Sequence, residues 1–254
     1  MNASISSLVL RGSTSSSPLL TDHTTLRMSN THLSCFSAPL VLGVFDHSVV
    51  GCSFHRFLSR VSALSGKGKE FVTASCKYRR VLFEEISSEG NGGCILCEVE
   101  VEVELVVEEC SFVDVRSSGE GGGMYVRGAV LVLTRSCLVL CRTAPFGDNV
   151  GGNGIYGGGN TKADLSDVVF SQCWISTDCG DSICLLLGGK YSICRKNSSK
   201  CVSNAWGQDT HHGDIESYVE SFVNTYNCSL EYAHANVGSV GKRMSSCLNI
   251  VNCV

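Results

Sequence analysis

The stretch Cys110-Ser111-Phe112, followed nine residues later by Gly121-Gly122-Gly123-Met124-Tyr125, decides the fold. Its first three residues recur along the chain as triplets that end on an apolar anchor. The other triplets are Cys52-Ser53-Phe54, Val81-Leu82-Phe83, Cys137-Leu138-Val139 and Val168-Val169-Phe170. Consecutive anchors lie 29, 29, 27 and 31 residues apart, so the sequence indicates a repeat of about 29 residues with small insertions.

A second landmark follows each anchor: glycine stands just ahead of an apolar segment. The segments are Gly92-Gly93-Cys94-Ile95, Gly122-Gly123-Met124-Tyr125, Gly152-Asn153-Gly154-Ile155-Tyr156 and the weaker Gly180-Asp181-Ser182-Ile183. Gly93, Gly123 and Gly154 lie 30 and 31 residues apart. Glycine adopts positive φ values and allows close backbone approach, so we expect a sharp corner at this place in each repeat.

These two landmarks predict an all-β, right-handed parallel β-helix, a solenoid in one domain. One rung, meaning one full turn of the coil, cannot bury its inward face alone, so successive rungs stack and each strand pairs with its equivalent above and below. We expect an internal aromatic ladder of Phe54, Phe83, Phe112 and Phe170, interrupted by Val139. A parallel ladder of small residues is expected from Cys52, Val81, Cys110, Cys137 and Val168.

Residues 98–107 show the clearest strand pattern in the chain. Glutamates occupy alternate positions from Glu98 to Glu104, and apolar residues occupy the positions between them and on to Val107. This period of two predicts one strand with a buried face and a wet face. The glutamate stripe could collect calcium or a basic partner. We favour a solvated face whose like charges block edge pairing.

The domain organisation follows from where the repeat is clear. Residues 1–24 are rich in Ser and Thr and are interpreted as a leader or an imperfect first rung, and residues 25–254 as the β-helix. The repeats are best over 50–185 and degenerate toward the C-terminus. Residues 214–226 fit either a helix face with Asp214 as N-cap or another rung with Phe222-Val223-Asn224 as its anchor, and we favour the rung. The final strand-like segment 247–254 has no polar cap, so we expect this chain to be part of a longer array.

Composition excludes several classes of protein. The 254 residues are 43% hydrophobic and 17% charged, which excludes global disorder. A net charge of −4 without a dominant Lys/Arg cluster argues against nucleic-acid binding. No apolar stretch approaches the ~18 residues of a membrane span. Residues 1–20 lack the apolar run of a signal peptide, so the sequence leaves the compartment open.

Sixteen cysteines raise the question of disulfides or metal. Their density is below that of disulfide-dependent small proteins. The close pairs Cys94/Cys97 and Cys137/Cys141 lack a second pair or histidines at zinc-site spacing. Free cysteine is among the most buried residue types, so we favour packing over zinc.

The motifs also carry a resemblance to known proteins. Its residues are Cys110-Ser111-Phe112 with Gly121-Gly122-Gly123-Met124-Tyr125, and Gly152-Asn153-Gly154-Ile155-Tyr156 with Phe170-Ser171-Gln172-Cys173. They resemble the right-handed β-helix repeats of the pectin-lyase-like superfamily. They are especially similar to the Cys- and Gly-rich surface repeats of polymorphic outer-membrane proteins and to related β-helix proteins of anaerobic protists. The resemblance covers roughly residues 50–185. It implies surface display and adhesion, or cleavage of acidic polysaccharide as in the lyase and polygalacturonase branches.

A search for chemistry returns no catalytic, cofactor-binding or metal-binding residue. His211-His212-Gly213-Asp214, with Asp209 nearby, is the densest group of potential ligands, and we interpret it as a polar loop. Gly152 to Gly157 matches the dinucleotide fingerprint G-x-G-x-x-G but lacks the following helix, so we interpret it as a turn. Paired aspartates and the other motifs of polygalacturonases are not found. Asn2, Asn197 and Asn227 begin formal N-glycosylation motifs, which matter only in a secreted protein.

The sequence therefore predicts a non-enzymatic structural, adhesive or binding segment that presents stacked β-helix faces. Its partner is expected to be a carbohydrate or another protein, and its location the cell surface or the extracellular space, on the resemblance alone. The alternative is a carbohydrate-active β-helix enzyme, a polysaccharide lyase or glycoside hydrolase, or a degenerate relative of one. Three or more charged side chains converging on one face would favour the enzyme.

Overall fold

The structure is a computed structural model. It describes the backbone of residues 2–11, 19–20, 25–36, 41–42, 46–59, 64–68, 75–99, 103–143, 153–158, 161–173, 183–185, 190–194, 197–199, 215–217, 222–226, 229–231, 240–242 and 247–251. Side chains are described over residues 4–11, 27–36, 48–57, 76–99, 103–143, 153–158 and 161–173.

The described residues form 29 strands and no helix. The first ten are β1 (Asn2–Ser6), β2 (Val9–Arg11), β3 (Leu19–Leu20), β4 (Thr25–Ser29), β5 (His32–Phe36), β6 (Val41–Leu42), β7 (Asp46–Val50), β8 (Ser53–Ser59), β9 (Leu64–Gly68) and β10 (Ser75–Arg79). The next ten are β11 (Leu82–Ser88), β12 (Ile95–Val99), β13 (Glu104–Glu108), β14 (Ser111–Ser117), β15 (Met124–Arg127), β16 (Val130–Thr134), β17 (Cys137–Val139), β18 (Arg142–Thr143), β19 (Ile155–Gly158) and β20 (Lys162–Ser166). The last nine are β21 (Val169–Ser171), β22 (Ile183–Leu185), β23 (Lys190–Cys194), β24 (Asn197–Ser199), β25 (Ile215–Ser217), β26 (Phe222–Tyr226), β27 (Ser229–Glu231), β28 (Val240–Lys242) and β29 (Cys247–Val251).

The strands form three parallel sheets, and each rung of the chain adds one strand to each sheet. Sheet A runs β1-β4-β7-β10-β13-β16-β20-β23-β26-β29. Sheet B runs β2-β5-β8-β11-β14-β17-β21-β24-β27, with β18 also paired to β14. Sheet C runs β3-β6-β9-β12-β15-β19-β22-β25-β28. The all-β parallel solenoid predicted from the repeat is confirmed, and its right-handed sense stays a prediction from the connection rule for parallel strands.

The aromatic ladder lies in sheet B. Register pairs Phe54 with Phe83 and Phe83 with Phe112, and all three are fully buried. The ring centroids are 5.3 Å apart for Phe54 and Phe83, and 4.8 Å apart for Phe83 and Phe112. Leu138 follows Phe112 in the column, and Phe170 follows Leu138. The ladder is thus confirmed, but its predicted interruption by Val139 is wrong.

The error at Val139 comes from a rung that is three residues shorter than its predecessor. Sheet A already pairs residues 26 apart at this rung, for example Glu108 with Thr134. Leu138 is fully buried and Val139 is half-buried, so the larger apolar side chain faces inward. Because side chains alternate along a strand, a one-residue error in register exchanges the inner and outer sets.

A single residue with positive φ forms each corner between sheets A and B. These residues are Ser7, Asn30, Gly51, Arg80, Glu109, Arg135 and Asp167, with φ between 47° and 61°. A second column of such residues bends sheet B itself: Cys35, Arg56, Glu85, Asp114, Leu140 and Gln172, with φ between 50° and 62°. One left-handed residue turns the chain sharply while both neighbours remain extended.

The residue after the first corner faces inward and forms the column of small residues. Its members are Thr31, Cys52, Val81, Cys110, Ser136 and Val168, all buried. The Cys52 Sγ donates to the Val50 carbonyl at 3.4 Å, and the Cys110 Sγ to the Glu108 carbonyl at 3.3 Å. The predicted ladder is confirmed except at Cys137, which pairs with Ser111 and is replaced in the column by Ser136.

The glycine corner leads from sheet B to sheet C. The Gly93 amide donates to the Gly122 carbonyl at 3.1 Å, and the Gly123 amide to the Gly154 carbonyl at 3.0 Å. A Cβ atom at Gly93 would lie 2.2 Å from the Gly122 oxygen. The predicted need for glycine ahead of these strands is therefore confirmed, and close backbone approach is the reason.

Residues 98–107 do not form one strand. Glu98 belongs to β12 in sheet C and Glu104 to β13 in sheet A. Val99, Val103 and Leu105 are all buried, because the inward face continues from one sheet to the next. The alternation was real, but it spans a corner, and a strand period carries no information about such a change of sheet.

Residues 214–226 contain β25 and β26, so this segment holds strands of a rung as we favoured. The proposed anchor is wrong, however. Phe222 lies in sheet A opposite Lys190, whereas the anchor column of sheet B continues through Leu230. Near the other end, β1 pairs with β4 and β2 with β5.

Candidate functional site

The outer face of sheet C carries a second aromatic stack. Tyr125 lies between the core residues Met124 and Val126, and therefore points away from the solenoid interior. It stacks on Tyr156 of the next rung with ring centroids 4.9 Å apart and planes 5° apart. Leu96 occupies the same column one rung earlier. We call Leu96, Tyr125 and Tyr156 the tyrosine face.

Although it faces outward, the tyrosine face is buried. Tyr125 is 5% exposed and Tyr156 is 8% exposed. Burial raises the pKa of the Tyr125 hydroxyl, and the nearby Glu98 and Glu120 carboxylates raise it further. The rings therefore stay neutral, and their hydroxyls act as hydrogen-bond donors toward the acidic rim.

Charged side chains form the rim of the tyrosine face. Arg127 Nη1 lies 3.3 Å from Glu98 Oε1 on the preceding rung. Burial raises the pKa of the Glu120 carboxyl, while a hydrogen bond from Tyr156 and the charge of Arg127 act in the opposite direction. A half-buried carboxyl with a raised pKa beside an arginine is an arrangement suited to proton transfer.

Local backbone geometry places Glu120. Its amide donates to Asn91 Oδ1 at 3.0 Å, which ties its turn to the rung before. A Cβ atom at Gly119 would lie 2.1 Å from that same oxygen, so only glycine fits beside Asn91. Gly121 follows with a φ of +70°. The glycine cluster noted in the sequence thus presents Glu120 toward sheet C.

The outer face of sheet B carries a second group of polar contacts, here called the polar strip and consisting of His32, Ser53, His55 and Glu84. His32 Nδ1 lies 2.6 Å from Ser53 Oγ, and His55 Nδ1 lies 3.0 Å from Glu84 Oε2. Each contact joins equivalent columns of adjacent rungs. Close by, Arg56 Nε lies 2.7 Å from Glu85 Oε2.

Four charged side chains meet at the corner between sheets A and B. Arg79 Nε lies 3.3 Å from Glu108 Oε2 and 3.8 Å from Glu109 Oε2. Arg135, one rung further, contacts Glu108 and lies 3.1 Å from Glu109 Oε1. We call Arg79, Glu108, Glu109 and Arg135 the charged clasp. Three or more charged groups do converge here, but they are paired with one another across rungs.

The cysteines singled out by spacing fall in different environments. Cys94 and Cys97 lie in the main core, and burial raises the pKa of Cys97 to about 12. Cys141 is buried, whereas Cys137 is half-buried on the outer face, with Sγ 3.3 Å from Ser111 Oγ. The nine described cysteines are free thiols, and no group of three or more potential ligands among the described residues could hold a metal ion.

The other predicted features have mixed outcomes. The glutamate stripe is divided, because Glu98 pairs with Arg127 while Glu104 is exposed on another sheet. Asn153-Gly154 leads directly into β19, so the turn interpretation of the fingerprint is confirmed. The group at Asp209, His211, His212 and Asp214, like Asn227, lies outside the described residues.

Sequence reasoning missed the tyrosine face and Glu120. A signal was present, because Cys94 to Cys97 and Met124 to Val126 are continuous apolar runs and do not alternate. Such runs indicate a strand that is buried on both faces. The partner of the outer face could not be found this way, since Glu120 reaches it from a turn.

Comparisons with protein-family models, with curated proteins and with solved structures find no match to this chain. Where the structure describes the chain, it contains no helix long and apolar enough to span a membrane. The fold itself is a parallel β-solenoid built of repeated rungs, and it is the structure that establishes this.

Proposed function

We propose that this chain is a non-enzymatic structural and binding segment, which presents stacked β-helix faces to a partner. The observation that carries the proposal is the use made of polar side chains on the outer faces. His55 contacts Glu84, Arg56 contacts Glu85, and Arg127 contacts Glu98, each pair being 29 residues apart. The polar groups of one rung are thus satisfied by the next rung, which favours a stiff rod with regular faces.

A rod of this kind suits a partner that is itself extended. Rungs of a parallel solenoid repeat at the strand spacing of about 4.8 Å, so equivalent groups recur along one straight line. Solenoid faces are commonly used as extended binding surfaces. We therefore propose a polysaccharide or a fibrous protein as the partner, and adhesion or display at a cell surface as the setting. Membership of the pectin-lyase-like superfamily, near the polymorphic outer-membrane and protist surface repeats, is part of the same proposal.

The polar strip is the face to test first, because its histidines and hydroxyls are partly accessible. The purified chain is applied to immobilised neutral and acidic polysaccharides and to immobilised collagen. The double variant His55→Ala/Glu84→Ala should weaken binding at least about tenfold, which corresponds to ~1.4 kcal/mol. Lys77→Ala, at an exposed position on the outer face of sheet A, is the matched control and should bind like the parent.

Two results would count against the proposal. One is the absence of binding to every probe by a chain that is shown to be folded. The other is binding that the double variant and Lys77→Ala reduce equally. The unfolding midpoint of each variant is measured alongside, so that a loss of binding is not confused with a loss of structure.

A carbohydrate-active enzyme is the second candidate, and one observation favours it. Glu120 is half-buried, has a raised pKa, and lies in the field of Arg127 with Tyr156 bonded to its carboxylate. A carboxyl of this kind can serve as a general acid. Incubation with acidic polysaccharides, followed by assays for unsaturated and reducing sugar ends, tests the activity. Release that is lost in Glu120→Gln would replace the first proposal with this one.

A further inference from the structure

The interior of the solenoid does not distinguish one rung from the next. Phe54, Phe83 and Phe112 follow one another at intervals of 29 residues in the same column. The column of small residues repeats in the same way, with Cys52 and Cys110 on either side of Val81. A rung stacked on the wrong neighbour would therefore bury nearly the same side chains. The hydrophobic term, which depends on buried apolar area, cannot select the order of rungs.

The exterior does distinguish the rungs, because charge alternates along the corner between sheets A and B. The corner residues of four consecutive rungs are Arg80, Glu109, Arg135 and Asp167. In the charged clasp, the two glutamates of one rung lie between Arg79 of the preceding rung and Arg135 of the following rung. The sign of the charge thus changes at every step.

We propose that the charged clasp selects the order in which the rungs stack. If the rung of β13 were looped out, the rung of β10 would lie directly on that of β16. Arg79 would then face Arg135, and both would have lost their glutamates. Opposed like charges on adjacent strands are destabilising, so this stacking is disfavoured although the interior would tolerate it. The clasp is a specificity device that acts on folding, separate from any partner binding.

Other columns follow the same rule. Arg56 pairs with Glu85 across one rung step, and Glu98 pairs with Arg127 across another. One step departs from it, since Asp114 follows Glu85 in the second corner column. Asp114 is neutralised instead by Arg142 Nη2 at 3.4 Å and by Arg116 Nη2 at 3.1 Å. Exposed ion pairs add little stability, so their regular alternation is better explained by selection of the register.

The test compares two single charge reversals in the full chain. Glu109→Arg creates three successive positive corners, whereas Glu104→Arg reverses an exposed charge in the neighbouring strand outside the clasp. Each variant is unfolded in urea under reducing conditions and refolded by dilution at low salt. We expect the yield of native monomer to fall at least about threefold for Glu109→Arg relative to Glu104→Arg, and the difference to shrink at ~1 M salt, where charges are screened.

A compensated variant separates register selection from simple loss of contacts. The substitutions Arg79→Glu, Glu108→Arg, Glu109→Arg and Arg135→Glu together reverse every sign and keep the alternation. This variant should recover most of the refolding yield, and hydrogen exchange should show parent-like protection over residues 75–143. Equal yields for Glu109→Arg and Glu104→Arg, or no recovery in a compensated variant that still unfolds cooperatively, would overturn the proposal.

Discussion

The inner phenylalanine column and the outer tyrosine face are two aromatic stacks made by the same geometry. Phe83 and Phe112 have ring centroids 4.8 Å apart, and Tyr125 and Tyr156 have centroids 4.9 Å apart. Both distances follow from the strand spacing of a parallel sheet. The phenylalanines are fully enclosed by the three sheets, whereas the tyrosines lie outside sheet C among charged side chains.

The difference between the stacks shows what each position demands. The inner column accepts only apolar groups, and its members are Phe or Leu throughout the described core. The outer stack uses rings that are apolar in the middle and polar at the end, so that each hydroxyl reaches the rim. Glu120, which accepts from Tyr156, is the point where the outer stack meets solvent. The inner stack therefore stabilises the fold, and the outer stack is where chemistry can be added.

Phe83→Ala should have the largest effect, because it removes the middle ring of the inner stack. The side chain is fully buried between Phe54 and Phe112, so the change leaves a cavity. We expect a loss of ~3–5 kcal/mol in the free energy of unfolding, measured by urea titration. Phe83→Leu is the control and should cost ~1 kcal/mol, since Leu138 fills the same column. Similar losses for both variants would mean that the column is not closely packed.

Gly93→Ala comes next and acts on the corner that leads to the outer stack. The new Cβ would lie 2.2 Å from the Gly122 oxygen and 2.5 Å from Val115 Cγ1. We expect a loss of ~1–3 kcal/mol, the usual cost of overpacking. Gly51→Asn is the control, because Asn30 already occupies the equivalent corner with a φ of 47°. If the two substitutions cost the same, backbone approach is not what requires glycine at position 93.

The fold could be predicted from sequence because chemically similar residues recur at a fixed interval. The Phe54, Phe83 and Phe112 column was found because three equal rungs preserve the spacing. Leu138 was missed because a rung of 26 residues shifts the alignment by one position, and the match of Cys137 to Cys110 concealed this. Chemical similarity locates a rung, but burial of the larger side chain fixes its register.

The candidate site was harder to predict, for a physical reason. Tyr125 and Glu120 meet because a glycine turn carries the carboxylate over the sheet, and no spacing rule encodes such a turn. Glu98 was expected in one stripe with Glu104, yet a corner separates them and Arg127 is its partner. Pairings within a column can be derived from the repeat length, whereas contacts between a turn and a sheet require the coordinates.

Tyr125→Leu should have a moderate effect on stability, smaller than that of Phe83→Ala. Leu96 occupies the preceding position of the tyrosine face, so leucine fits this column. The loss should be ~1 kcal/mol, mainly the stacking with Tyr156. Tyr125→Phe keeps the ring and should cost less. Near-ultraviolet circular dichroism reports the stack directly, and an unchanged spectrum in Tyr125→Leu would contradict the stacked geometry.

Glu120→Gln should change the pH dependence of stability. Burial raises the pKa of Glu120 in the folded protein, so the folded state holds this proton more tightly than the unfolded state. The contribution is therefore fully present below the unfolded pKa and is lost as pH rises through the folded pKa. We expect Glu120→Gln to be slightly more stable than the parent at neutral pH and to lose this advantage at acid pH. Thermal midpoints measured from pH ~3.5 to ~7 test it, and parallel curves would contradict it.

Cys110→Ser should have the smallest effect, because its column already contains other small residues. Ser136 occupies the equivalent position and donates to the Thr134 carbonyl at 2.8 Å, as Cys110 does to Glu108. We expect a change within ~1 kcal/mol in the free energy of unfolding, far below that of Phe83→Ala.

The same thiol gives a chemical measure of how closed the interior is. Burial raises the pKa of Cys110 to about 11, so almost no thiolate is present at neutral pH, and reagents must also wait for the rungs to open. In native buffer, iodoacetamide should label Cys137, which is half-buried on the outer face, well before Cys110, as read by peptide mass spectrometry. In urea the two should react at similar rates. Equal labelling in native buffer would show that the interior column opens as readily as the outer face.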